Sequence, residues 1–317
     1  MMGMPRKTTV RRDDVSGAVV VTGASSGIGE VTALTLARAG WLTFAGVRTT
    51  EAAERLSASA GAIGVGGLLR PLILDVTAEA QIAAATALVR EECRGRGVRL
   101  RGLINNAGIA VAGPLELVPL ERLRASLAIN TVGALAVTQA FLPQLRAARG
   151  RVINLSSVSG RVAAPFLGPY AASKFALEAL SDALRVELRP WGMRVILIEP
   201  GPIVTPIWEK GAALALGADA ALDGSPYAPF LPRVRARFLR AAEGGRSPEL
   251  VATAILRALT VPRPRARYLL TRSPLGFALF ARCAPDWLRD LSFGVALGFW
   301  AGPPREQTKR QMREADV

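Results

Sequence analysis

Between residues 18 and 200 six short apolar runs alternate with five stretches of helical spacing. The apolar runs are AVVVT (18–22), LTFAGV (42–47), PLILDV (71–76), LRGLIN (100–105), RVINLSS (151–157) and MRVILIEP (193–200). A strand apolar on both faces is a strand covered on both faces, as in a parallel sheet. The intervening stretches, 28–40, 50–59, Glu79 to Cys93, 120–146 and Tyr170 to Leu188, predict crossover helices. Parallel strands joined by right-handed helical crossovers close into an α/β domain with helices on both faces of its sheet. A further helix (247–260) and strand (266–271) extend the pattern, with a less regular stretch at about 206–246 before them. The reading is one domain over residues 16–272, preceded by a polar tail (1–15) and followed by an extension (273–317).

Composition removes several classes of function. The 317 residues carry a net charge of +15, but the arginines are scattered rather than gathered into runs with aromatics, which argues against nucleic acid as a partner. There is no histidine, and Cys93 and Cys283 lie far apart, so no metal site is expected. Two unpaired thiols fit a reducing compartment, and the basic N-terminus lacks the apolar stretch of a secretory signal, so the expected location is cytoplasmic. No charge-free apolar window of spanning length appears, so no membrane-crossing helix is expected.

The first strand ends in TGASSGIG (22–29), with Gly23, Gly27 and Gly29 around Ser25, Ser26 and Ile28, and a helix follows. Small residues let a backbone approach a pyrophosphate, and a helix N-terminus offers free N–H groups and a positive dipole end. A glycine turn alone marks many tight connections; a strand before it and a helix after it point to a dinucleotide. The second strand ends in Arg48, with no acid before Glu51. A carboxylate there would hold a free ribose hydroxyl, whereas an arginine suits a 2′-phosphate, so the expected cofactor is NADP, with NAD less favoured.

The stretch YAASK sets Tyr170 and Lys174 four residues apart in a predicted helix. This chain writes only four of its 40 basic residues as lysine and has three tyrosines. Residues i and i+4 share a helix face, so an ammonium stands one turn from a phenol. A nearby cation favours phenolate and is expected to lower the tyrosine's pKa from its ordinary value near 10. On spacing alone, a surface lysine beside a half-buried tyrosine in an amphipathic helix is the better reading. Ser157, at the end of the fifth strand, and Asn130, in the long helix after NNAG (105–108), add polar groups at the carboxyl end of the sheet, where open α/β folds bind ligands.

In the order TGASSGIG, LDV, NNAG, INTVG, NLSSVSG, YAASK and EPGPIVT, these segments make the chain, from about Ala18 to Pro206, resemble the short-chain dehydrogenase/reductase family. The stretch SSVSGRVAAPFLGPYAASKFALEALSDALRVEL further resembles its retinol dehydrogenase and 17β-hydroxysteroid dehydrogenase branch. The resemblance implies a single doubly wound Rossmann-type domain with a mostly parallel sheet, plus a C-terminal helical extension. It implies a catalytic tetrad of Asn130, Ser157, Tyr170 and Lys174. Tyr170 would be the acid/base, Ser157 would hold the substrate oxygen, Lys174 would tune Tyr170 and hold the nicotinamide ribose, and Asn130 would fix a relaying water. It also implies adenine contacts from Asp75 and Val76, a ribose lining from Asn106, Ala107 and Gly108, and a carboxamide site at Pro200, Gly201, Ile203 and Thr205.

The implied reaction is NADP-dependent exchange of hydride with a lipophilic secondary alcohol or ketone, or a retinoid-like alcohol or aldehyde. The alternatives are a 3-oxoacyl-thioester reductase, disfavoured by the length beyond Thr271, and a cofactor-binding sensor without turnover, disfavoured by the intact tetrad. The resemblance suggests a homodimer or homotetramer through the two long helices. Residues 274–300 alternate apolar patches with Arg282, Asp286, Arg289 and Asp290, which predicts one or two amphipathic helices. Their apolar faces fit a pocket lid, packing on the domain, or peripheral contact with a bilayer.

Overall fold

The computed structural model describes residues 17–207 and 224–299; the polar tails and the middle of the 206–246 loop lie outside them. Seven strands form one sheet: β1 (Ala18–Val21), β2 (Leu42–Val47), β3 (Leu69–Ile73), β4 (Leu100–Asn105), β5 (Arg151–Leu155), β6 (Arg194–Pro200) and β7 (Arg267–Leu270). Their order is β3-β2-β1-β4-β5-β6-β7, and every pairing is parallel. Strand order reverses between β1 and β4, which opens a crevice at their carboxyl ends.

The residues of β1 show why both faces are covered. Val19 and Val21 belong to one core with α1 (Gly27–Arg38), α2 (Thr50–Ala62) and α8 (Pro248–Thr260). Ala18 and Val20 belong to the other, with α3 (Glu79–Gly95) and α5 (Ala134–Ala147). The period of two along a strand sends alternate side chains to opposite layers. The run Leu120–Ala147 is apolar and long enough to cross a membrane by length and composition, and 44% of its most apolar window is buried. Val137, Phe141 and Leu145 explain that composition, since they pack in the second core.

Two expectations change in detail. The predicted strand 71–76 runs from Leu69 to Ile73 instead, and Leu74, Asp75 and Val76 leave the sheet to line the crevice. The predicted single helix over 120–146 is α4 (Leu120–Leu127), a π-helical turn (Ala128–Gly133) and α5. The wide turn contains Asn130; such insertions recur at functional sites.

After β6 come α7 (Leu231–Glu243), α8, β7, α9 (Pro274–Cys283) and α10 (Asp286–Leu297), so the extension does form two helices. It is anchored mainly at its far end. Leu297 packs with Phe166, Leu167, Leu231 and Val234, and the Phe299 ring stacks 5.9 Å from that of Phe166. Phe166 sits at φ +64°, four residues before Tyr170, and its carbonyl accepts from the Gly113 N–H (2.8 Å). A bulky residue in that region is strained unless its surroundings hold it.

Candidate active site

The crevice is a cleft of about 360 Å³, within the range of small-molecule sites. One wall is the turn from β1 into α1. Gly23 holds φ +66°, and a Cβ there would stand 2.7 Å from the Ala107 Cα. A Cβ at Gly29 would collide with the Gly23 carbonyl and the Asn106 amide. Asn106 sews the turn to β4, donating through Nδ2 to the carbonyls of Thr22 and Gly23 (both 2.9 Å). Thr22 Oγ1 accepts from the N–H groups of Asn106 and Ala107 (both 3.0 Å). The Ser26 side chain at the N-terminus of α1 makes no capping bond. That leaves first-turn N–H groups for an anion, with the dipole behind them. A pyrophosphate fits this cradle, and positions 23 and 29 admit nothing bulkier than glycine against their own neighbours.

Ser25, Gly27, Ile28, Arg48, Asp75, Val76 and Gly108 line the same cleft, as do Pro200, Gly201, Ile203 and Thr205. Arg48 is exposed at its rim. Asp75 turns its carboxylate to the Thr77 N–H (2.9 Å) and hydroxyl (2.6 Å). Those bonds, with a smaller contribution from the Arg48 charge, hold its pKa below the usual carboxylate value. Every cofactor position named from sequence therefore reaches one cleft.

The tetrad converges as well. Tyr170 and Lys174 lie one turn apart on α6 (Gly168–Glu187), both buried. The Tyr170 hydroxyl is hydrogen-bonded to Ser157, whose Oγ also accepts from the Ser159 N–H (3.1 Å). The ammonium of Lys174 donates to the Leu155 carbonyl (2.6 Å) and stands 5.7 Å from the Tyr170 ring centre. Asn130 reaches in from the π turn. Its Oδ1 accepts from the Ile109 N–H (2.8 Å), and its Nδ2 donates to the Ile109 carbonyl and to Ser173 Oγ (both 2.9 Å). Ser173 Oγ in turn donates to the Tyr170 carbonyl (2.7 Å). Asn130 thus ties the loop after β4 to α6.

The electrostatics correct one expectation. Burial pushes the Tyr170 phenol up to about 12, against a lowering contribution from the Ser157 bond. The lysine was expected to bring that value down. Instead burial acts on both groups and lowers Lys174 to about 8, opposed by the charge of Glu178. Desolvation penalises the charged form of each, so it moves a phenol up and an ammonium down.

Several lining residues had not been singled out: Val47, Leu74, Ile109, Ala110, Ile129, Leu155, Ser156, Pro206 and Ile207. Most are apolar, or contribute through the backbone as Leu155 does, and residue type carries no signal for either. Among the described residues no group of three metal-ligating side chains occurs, and Cys93 and Cys283 are free thiols.

The model of the short chain dehydrogenase family matches residues 17–213. This chain belongs to the short-chain dehydrogenase/reductase family: it is an oxidoreductase of CH–OH groups. It is 33% identical over 279 residues, 86% of the chain and 95% of the relative, to an NADPH-dependent 3-dehydrocapnine reductase of Ornithobacterium rhinotracheale. It is 35% identical to retinol dehydrogenase 5 of Mus musculus over 79% of each chain, in keeping with the branch its sequence resembles. A short chain dehydrogenase of Burkholderia cenocepacia solved in complex with NADP superposes with a TM-score of 0.67 at 25% identity, over 88% of this chain and 98% of that one.

Proposed function

We propose that this chain exchanges hydride between NADP(H) and a lipophilic secondary alcohol or ketone, or a retinoid-like alcohol or aldehyde. The observation that carries the reading is that one cleft is lined by the glycine turn, by Arg48 and by the hydrogen-bonded Tyr170–Ser157 hydroxyl pair. NADP, when bound, supplies or accepts the hydride. The chain's residues do the rest. The Gly23–Gly29 turn would hold the pyrophosphate, and Arg48 would pair with the 2′-phosphate. The hydroxyls of Ser157 and Tyr170 hold the substrate oxygen, and the phenol gives it a proton in reduction or takes one in oxidation. A phenol held near 12 is protonated at neutral pH, which suits reduction. Lys174 supplies the neighbouring positive charge, and Asn130 keeps the Ile109 loop and α6 in register. The name of the NADPH-dependent relative and the NADP-bound neighbour support the cofactor, and the retinol dehydrogenase relative supports the substrate class.

Turnover with NADPH across a panel of small ketones, large lipophilic ketones, retinoid-like aldehydes and 3-oxoacyl thioesters tests this. Turnover greatest on the lipophilic carbonyls supports the reading, and greatest turnover on the thioesters overturns its substrate. Arg48→Asp should cost about one to two decades of NADPH affinity, because charge-assisted contacts are worth roughly 1.5–3 kcal/mol. It should move the preference toward NADH. Equal kcat/KM for NADPH and NADH in the unmodified chain would refute the role of Arg48.

Exposure supports a reading of the subunit and membrane surfaces. Leu120, Val132, Phe175 and Val186 are exposed on α4, the π turn and α6, the face we propose for self-association. On the extension, α9 buries none of its residues, and Leu275 and Leu279 are 73% and 56% exposed. On α10, Trp287, Leu291 and Val295 form an outward stripe at i, i+4 and i+8. Arg272 and Arg282 are exposed at the two ends of α9. We propose that this outer face rests on an anionic bilayer, with the tryptophan at the headgroup level. The full chain should sediment with anionic vesicles, and Leu279→Asp with Trp287→Asp should remain in the supernatant. Equal sedimentation of both proteins would remove the proposal.

A further inference from the structure

Two buried carboxylates stand behind the catalytic lysine, and the chemistry above uses neither. Helix α6 carries Tyr170, Lys174, Glu178 and Asp182 at intervals of four, so one face runs from the phenol into the protein. Glu178 lies one turn beyond Lys174 and is 8% exposed; Glu199, on β6, is fully buried. Arg267, on β7, joins them. Its guanidinium lies 3.0 Å from Glu178 Oε2, 3.0 Å from Glu199 Oε1 and 2.8 Å from Asp182 Oδ2. Arg161, just past the Ser157 turn, closes the other side of Glu199 at 3.2 Å.

Lys174, Arg161 and Arg267 stand against Glu178, Asp182 and Glu199, and Arg185 adds a further positive charge on the outer edge at 2.9 Å from Asp182. Among the three carboxylates only Glu178 offers an unused oxygen, since its Oε1 is buried with no hydrogen-bond partner among the described residues. A buried carboxylate oxygen without a donor is costly and needs a nearby positive charge to persist. The next positive group along that face is the Lys174 ammonium, which donates to the Leu155 carbonyl.

We propose that Glu178, clamped by Arg267, is a positioning residue that keeps the catalytic ammonium of Lys174 charged inside the protein. Glu178 does not touch substrate or cofactor; it acts through Lys174. Through Arg267 the last strand of the sheet is electrically tied to the reacting end of the cleft, so β7 contributes to catalysis without lining the cleft. The lowered value of Lys174 is consistent with this, because burial pulls it down and Glu178 is the charge that resists. The groups facing this pair are Tyr170 and Asp182 from α6, Arg161 from the turn after β5, Glu199 from β6 and Arg267 from β7.

The inference rests on Lys174 belonging to the proposed site, yet its test reads the lysine itself and needs neither cofactor nor turnover. The sequence holds four lysines, so carbon-13 lysine labelling of the full chain gives few resonances, and the one lost in Lys174→Arg is Lys174. In the unmodified protein it should titrate near 8. Removing the anion destabilises the ammonium, so Glu178→Gln should move that titration down by about one pH unit. Arg267→Gln frees Glu178 and removes a competing cation, so it should move the titration up. Glu178→Asp, which keeps the charge, should stay near the parent. The alkaline limb of kcat for carbonyl reduction should move in the same directions. A folded Glu178→Gln protein in which Lys174 titrates where it did before would overturn the proposal. So would a downward shift in Arg267→Gln, which decides the matter alone if Glu178→Gln does not fold. A purely structural role would lower the unfolding temperature in both variants without opposite shifts in the lysine.

Discussion

Tyr170→Phe should lower kcat by a factor on the order of 10² to 10⁴, the usual contribution of a positioned general acid, while leaving NADPH affinity unchanged. The phenol is only 7% exposed, and its hydroxyl points to Ser157 rather than to the glycine turn that receives the pyrophosphate. Phenylalanine fills the same space, so the Phe166 turn and α6 have no reason to move. Loss of the hydroxyl removes an interaction made in the transition state, which lowers kcat and kcat/KM together. Steady-state kinetics with equilibrium NADPH binding checks both halves. A variant that retained most of its kcat would remove Tyr170 from the mechanism.

Lys174→Arg keeps the formal charge and should still lose catalysis to a similar extent. The Lys174 ammonium is 5% exposed and makes a 2.6 Å bond to a backbone carbonyl at the end of β5. A guanidinium is larger and planar and brings five donors to a site where the ammonium makes its bond to the Leu155 carbonyl. Overpacking and unsatisfied donors should cost about 1–3 kcal/mol of stability. The pH dependence of stability separates the two residues further. Lys174 is held near 8 in the folded chain against 10.5 for a free lysine. Between those values the unfolded chain binds more protons, so the unmodified protein should gain stability as pH rises from about 8 toward 10.5, where the burial penalty on the ammonium disappears. Arginine never deprotonates in this range, so the variant should lack that rise. Unfolding temperatures measured across the window read the difference; parallel curves for the two proteins would contradict a buried, titrating lysine.

What the sequence made legible, and what it hid, divides along physical lines. The parallel sheet was readable because β1, β2 and β6 are apolar on both faces, and only a doubly covered strand tolerates that. The glycine turn was readable because Gly23 and Gly29 sit where no Cβ fits. The π turn around Asn130 was not, since AINTVG continues the apolar spacing of a helix, and the partners of the amide, Ile109 and Ser173, lie 21 and 43 residues away. The end of β3 was misplaced because Leu74 and Val76 are as apolar as strand residues but serve the cleft. Local spacing put the lysine beside the tyrosine, and the inference that it lowers the phenol's pKa left out burial, which depends on every element packed around α6. The same limit hid the Glu178–Arg267–Glu199 cluster, assembled from α6, β7 and β6.

The account stands on one event, the direct exchange of hydride between the nicotinamide and the carbon that bears the substrate oxygen. It is tested most directly with NADPH deuterated at the transferring position of its nicotinamide and a lipophilic ketone turned over by the unmodified chain. The account predicts one deuterium per product molecule, on the newly formed carbinol carbon, by mass spectrometry. It predicts at most about a hundredth of that labelled product in the same time with Tyr170→Phe. Alcohol formed without the label, or formed equally by the phenylalanine variant, would contradict it.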